Sequence, residues 1–301
     1  MVLPYCPKFQ TLHTMPNITA LTLYPIKSCA GISMSSALLT ETGLSFATVY
    51  DREWMVVDQN GHCLTQREYP KMAVIRPSIF DDKLVLEAIG VSPLTVALAR
   101  DKVTPYISVE VQVWDDTLLA NDEGEACAKW FTTVLGVACR LVRFHPSATR
   151  VANNQWTSNK NVPTHFSDAY PLLLISEASL ADLNQKLTAL HLAQVPMNRF
   201  RPNIVIDGIA AFEEEYAESF TIDEVGQTIC LKPIKPCARC PMPAVNQLTA
   251  QVGDNPVDVL QTYRSNAMLD GAVTFGMNMI VAQGSGQYLK LGDMLELHLA
   301  F

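Results

Sequence analysis

The chain has 301 residues, 49% apolar and 17% charged, with a formal net charge of −8. This is the composition of a well-packed protein with room for one large or two ordinary domains, and it excludes a disordered chain. The acidic balance argues against a general binder of nucleic acid or anionic membranes, no apolar run approaches the ~20 residues of a membrane helix, and eight irregularly spaced cysteines do not make a secreted disulfide scaffold. Met1 to Ala20 shows no charged region leading into an apolar one, so no signal peptide is expected, and the default compartment is reducing cytoplasm.

Residues 1 to 16 lack periodicity and contain three prolines, which reads as a poorly ordered lead-in. Thr19 to Tyr24 is a β-branched, apolar strand that Pro25 ends, and Ile26 to Gly31 forms a turn presenting Lys27 and Ser28 together. Alone, Lys27 reads as a solvated lysine or as an anion ligand. Arg52, between Asp51 and Glu53, reads as a surface ion pair of little consequence. Trp54 to Asp58 and Cys63 to Gln66 flank Gln59-Asn60-Gly61, a hairpin signal. A turn at Asp81-Asp82 follows, then Ser108 to Trp114, whose alternation marks a half-buried strand. The first helix is predicted from after Asp122 to about Leu135, with Gly136 ending it and Ala126, Trp130, Phe131 and Val134 as its buried face.

Cys139 to Phe144 reads as a strand, and Arg150 to Ser167 as a long polar connection or domain boundary. Pro171 to Ile175 is a short apolar strand leading to Ser176, an N-cap for a helix with Leu180, Leu183, Leu187 and Leu190 at helical spacing. That helix N-terminus reads either as a simple cap or as an anion site. Arg201, before Pro202, is expected on an extended segment that leads through Asn203 into the strand Ile204 to Ile206. Glu213-Glu214-Glu215 reads as a solvated face. Phe220 to Ile222 and Gln227 to Leu231 are strands, Asn255-Pro256 opens a helix through about Tyr263, and Val273 to Val281 and Met294 to Leu299 close the chain.

Lys232 to Pro243 carries the chemistry. Four prolines between Pro233 and Pro243 predict a stiff loop, and Cys237 and Cys240 sit on it beside Lys235 and Arg239. Neighbouring cations favour the thiolate, the form that attacks substrates or binds metal; a pair of inert half-buried cysteines or a loop disulfide fits the same spacing. No dinucleotide fingerprint, phosphate loop or HExxH motif is present, and the six histidines show no ligand spacing with the CxxC, so a closed zinc site is not expected.

In this order, Tyr24-Pro-Ile-Lys-Ser28, Tyr50-Asp-Arg-Glu-Trp54, Ser176 to Asn184, Phe200-Arg-Pro-Asn203, Cys237-Ala-Arg-Cys240 and Thr274-Phe-Gly276 resemble the MOSC superfamily. The likeness is to its two-part members, which include the mitochondrial amidoxime-reducing component and bacterial YcbX-type proteins. The resemblance implies an α+β, β-rich fold, with a MOSC N-terminal β-rich domain over 17–145 and a MOSC β-barrel domain over 146–301. It implies a molybdenum cofactor (Mo-molybdopterin) with Cys240 as metal ligand and catalytic residue, and Lys27, Ser28, Arg52, Ser176, Arg201, Asn203, Arg239 and Asn278 lining the pterin and its phosphate. At superfamily level it also carries an association with pyridoxal phosphate. Asn278 stands where the mitochondrial relatives have tyrosine in Phe-Gly-x-Tyr. The activity implied is reduction of N-hydroxylated compounds, such as hydroxylamino-purines or amidoximes. A cofactor or sulfur carrier acting through Cys240 is the alternative, and a dithiol protein using Cys237 and Cys240 the third reading. The sequence ends at Phe301 without the plant-type [2Fe–2S] domain that YcbX-type chains can carry: either that domain has been cut away, or electrons arrive from a separate flavoprotein or ferredoxin-type reductase, and the second is expected.

Overall fold

The computed structural model describes residues 15–99, 107–158, 160–224 and 226–300. Most of the lead-in expected over residues 1 to 16, up to residue 14, lies outside the described residues. The fold is α+β and β-rich, and its framework is a nine-stranded sheet. Along its main path run Ile32–Met34, Asn17–Leu23, Ile204–Asp207, Leu172–Ser176, Ala272–Gln283, Gln227–Ala238, Ala217–Glu224 and Glu296–Leu299, while Ser265–Asn266 pairs off this path. Strands from both ends of the chain therefore share one sheet.

Neighbours in this sheet are antiparallel except Leu172–Ser176 and Ile204–Asp207, which are parallel. A parallel pair needs a crossover, and the helix Glu177–Ala189 (α2) supplies it. Ser176 caps α2 through its hydroxyl, which accepts from Ser179 N at 3.1 Å, while Leu180, Leu183 and Leu187 bury its apolar stripe. Leu190 lies past the last turn and is exposed, so the stripe is one residue shorter than its leucine spacing predicts.

Ser108–Val113, Asp116–Asp122, Arg140–Phe144 and Trp54–Val57 form a separate four-stranded sheet. The helix Glu125–Leu135 (α1) packs on it through Cys127, Trp130, Phe131 and Leu135 and stops at Gly136, whose φ of 77° lets its N–H reach Thr132 O at 2.8 Å. Ala126, predicted inward, is exposed, because the buried stripe runs one residue later. The expected partner of Trp54–Val57 is also different. Cys63 makes a single bridge to Val57, and its N–H turns to Gln112 O, so the strand pairs along its length with Arg140–Phe144.

The segment predicted as a proline-stiffened loop is a strand as far as Ala238. Pro233 and Pro236 lack the N–H a regular ladder needs, and the register against Ala272–Gln283 shifts beside each of them. The strand delivers Cys237 near its end and leaves Cys240 just beyond it.

Candidate functional site

The end of this strand, the turn after Pro25, the segment Ser167–Tyr170 and the bend Arg199–Asn203 enclose a cavity of about 200 Å³. Lys27, Ser28, Arg52, Arg201, Asn203, Arg239, Cys240 and Asn278, the residues that the family resemblance implies, all line it, as do Cys237 and Lys235. Six cationic side chains face one carboxylate, Asp168.

Three of the lining residues have left-handed backbones without being glycine: Ser28 (φ 66°), Arg52 (φ 50°) and Arg201 (φ 57°). Each such conformation costs free energy that the surrounding packing must over-determine. Arg201 was expected on an extended segment. It adopts the left-handed bend instead, because its guanidinium carbon lies 4.3 Å from the Tyr24 ring centroid and Tyr24 Oη donates to Pro202 O at 3.3 Å. Arg52 lies 4.6 Å from the same ring centroid.

Polar contacts sort the lining residues into fixed supports and open donors. Asn203 is fully engaged: Nδ2 donates to Thr22 O (3.1 Å) and Asp51 Oδ1 (2.9 Å), and Oδ1 accepts from Leu173 N (3.2 Å) and Arg52 Nη1 (3.0 Å). It holds Arg52 in place and has no donor left over. Asp51, wholly buried, pairs with Arg52 and accepts from Tyr24 N, so this ion pair is interior and not the surface pair its sequence suggests. Arg239 gives its donors to the carbonyls of Phe275 and Phe200, tying the cysteine segment to both aromatic residues. Asn278 Nδ2 donates to Lys235 O at 3.2 Å. Among the described residues the Arg201 guanidinium makes no hydrogen bond or ion pair, and Ser167 Oγ and Arg199 Nε are buried without a partner.

Lys27 is 4% exposed; its ammonium donates to Phe166 O at 2.9 Å and pairs with Asp168. Burial lowers its pKa against the pull of Asp168. Crowding by the cavity walls opposes ionisation of Asp168 although its side chain is 67% exposed, and the charges of Lys27, Arg52 and Arg201 outweigh it and hold the carboxyl well below the usual range. Burial also lowers Arg201. The cavity is thus built for an anion. Sequence reasoning missed Asp168, Ser167, Tyr170 and Arg199, because a polar residue in or beside an irregular loop carries no periodic signal.

Two expectations about this site are corrected. Neighbouring cations were expected to favour thiolate at both cysteines of the CxxC; at Cys237 this fails, because burial raises the thiol pKa despite Arg239 and Lys235. Ser176, expected to line the cofactor, does not line the cavity. The N-terminus of α2 already holds an anion of the protein itself, Glu214. Phe212 turns left-handed (φ 65°) and directs this middle glutamate of the acidic run inward, where it is fully buried. Its carboxylate accepts from Ser176 N (3.2 Å), Ser176 Oγ (3.0 Å) and Ser179 Oγ (2.7 Å), donors that offset part of the cost of burying it.

Glu214→Ala is expected to lower unfolding free energy by about 2–4 kcal/mol in urea titrations, because three buried donors lose their acceptor. Burial raises the Glu214 pKa. Its stabilising contribution is therefore full below the unfolded carboxyl value and fades as pH rises through the folded one. Glu214→Gln should cost less than alanine at neutral pH and remove that dependence.

His165 lies behind the cavity segment, in contact with Phe144 and Tyr50. Burial pushes its imidazole down to about 4 from 6.5, against a hydrogen bond to the Asp51 backbone, and Arg143 acts in the same direction. The unfolded chain takes up this proton below 6.5 and the folded chain only near 4, so stability is lost as pH falls across that window, by about 3 kcal/mol in all. His165→Asn should lessen the fall. Equal slopes for the two proteins between pH 6.5 and 4 would contradict this.

The chain belongs to the MOSC family of two-part proteins: the MOSC N-terminal beta barrel domain matches residues 15–138, and the MOSC domain matches residues 161–296. It is 34% identical to mitochondrial amidoxime reducing component 2 of Bos taurus over 94% of its own length and 83% of that protein. It is 30% identical to mitochondrial amidoxime-reducing component 1 of Homo sapiens, over 95% of this chain and 84% of the relative. It is also 30% identical to the molybdenum cofactor sulfurase of Homo sapiens over 92% of its length, which is 32% of that longer protein.

Proposed function

We propose that the chain is a molybdenum-cofactor oxidoreductase that reduces N-hydroxylated compounds, amidoximes or hydroxylamino-purines, to the corresponding amidines or amines. The observation that carries this reading is the meeting of Cys240 with six cations in one cavity. It is supported by similarity to amidoxime reducing components along most of the chain.

The residues present fit such a cofactor. A soft thiolate suits a sulfur-rich metal centre, and the unengaged guanidinium of Arg201 with the unpartnered Ser167 hydroxyl suits a phosphate. In this reading Cys240 holds the metal, Arg201, Lys27 and Ser28 face the phosphate, and Asn203 acts through Arg52. Arg239 fixes the cysteine segment by clamping Phe275 and Phe200. When bound, the cofactor supplies a two-electron centre able to remove oxygen from an N–OH group. The balanced reaction consumes two electrons and two protons and releases one water. At the cavity wall the Lys27 ammonium bears a proton, and the ionised Asp168 carboxylate pairs with it.

Electrons would come from a separate flavoprotein or ferredoxin-type reductase, since the sequence holds no flavin or nicotinamide fingerprint. Cofactor-loaded protein should reduce benzamidoxime with reduced viologen, and with NAD(P)H only after such a reductase is added. Similarity to the molybdenum cofactor sulfurase favours a second reading, a cofactor or sulfur carrier acting through Cys240. Tight cofactor binding without turnover of any N-hydroxylated substrate would select the carrier.

A further inference from the structure

The cavity cations do not form a single group. Lys27, Arg52 and Arg201 surround Asp168, and Arg239 is consumed by two backbone carbonyls. Arg199 stands apart. It ends a 3₁₀ turn, Met197–Arg199, and its Nη1 donates to Pro243 O at 2.8 Å. That contact seats it on the turn Met242–Ala244, directly after Cys240. Among the described residues no carboxylate pairs with it and its Nε is buried without a partner, and burial alone lowers its pKa. A partly desolvated guanidinium with no counter-charge is costly unless something supplies the missing acceptor. The edge carrying Nε is the one through which arginine grips a carboxylate or phosphate by two parallel N–H···O bonds.

We propose that Arg199 is a substrate-anion site, so that the N-hydroxylated compounds this protein reduces best carry an oxyanion, a carboxylate or a phosphate, that engages Arg199 while the N–OH group faces the Cys240 end of the cavity. The proposal rests on the reading of the chain as an N-hydroxy reductase and adds the charge of its substrate. Arg199 and the Asp168 cluster then have separate tasks: the cluster faces the cofactor's phosphate, and Arg199 faces the exchangeable ligand. A neutral substrate would leave Nε unpartnered throughout turnover.

The test uses cofactor-loaded protein with reduced viologen and two matched substrate pairs. These are benzamidoxime against 4-carboxybenzamidoxime, and N6-hydroxyadenosine against its 5′-monophosphate. The charged member of at least one pair should show a KM roughly 10- to 100-fold lower, the effect of one charge-assisted bidentate contact, and the pair that responds tells carboxylate from phosphate. Arg199→Gln should erase that difference, and Arg199→Lys should restore part of it. Equal KM values within both pairs in the unmodified protein would overturn the proposal while leaving the reductase reading standing. So would loss of bound cofactor in Arg199→Gln, which would assign Arg199 to the cofactor. Turnover of none of the four compounds would instead refute the reductase reading, and the proposal with it.

Discussion

Cys240→Ser is expected to abolish reduction of N-hydroxylated substrates while leaving the fold and the thermal transition intact. Cys240 lies past the last residue of its strand, is only half-buried and makes no hydrogen bond to a described residue, so serine removes no packing on which the sheet depends. What serine removes is the soft donor beyond the end of the strand, where the cavity's other thiol, Cys237, is disfavoured as thiolate by burial. Cys237→Ser should be much milder. The Cys237 thiol is held protonated by burial and has only a long contact to Ala238 O, at 3.8 Å. Equal loss from both substitutions in steady-state assays would favour a dithiol mechanism over a single metal ligand.

Arg201→Ala should lower cofactor retention by roughly one to two orders of magnitude, the cost of one charge-assisted contact. The Arg201 guanidinium is desolvated, stacked on Tyr24 and unengaged by any described acceptor, so its direction is set before an anion arrives. Alanine is strained at φ 57°, and glycine is not. Arg201→Gly therefore separates the two effects: retention should fall as far as with alanine, while stability falls less. The measurement is pterin and molybdenum content after gel filtration, and unchanged retention in both variants would remove Arg201 from the site.

Much of the frame was legible because local rules act there without competition. Gly136 ends its helix, Ser176 caps α2, and leucines three and four apart bury one stripe. The cavity was legible only in part. Its residues come from segments far apart in sequence, and resemblance to a family, not spacing, brought them together on paper. The left-handed backbones at Ser28, Arg52 and Arg201 were not readable, since these residue types do not signal that conformation. Two misreadings share one cause, a tertiary partner that overrides a local tendency. Glu214 leaves its acidic run for the N-terminus of α2, and the prolines of the cysteine segment are tolerated in a strand because the register slips beside them. Ser176 follows from the first: the helix end that could receive a cofactor anion already holds a carboxylate.

The central claim is that the cation-lined cavity holds a molybdenum cofactor through Cys240. Elemental analysis of protein produced in a host competent for cofactor synthesis tests it most directly, with Cys240→Ser and Arg201→Gly prepared alongside. About one molybdenum per chain is expected in the unmodified protein, with clearly less in both variants. Well-folded unmodified protein that contains no molybdenum, yet reduces an amidoxime with reduced viologen, would contradict it.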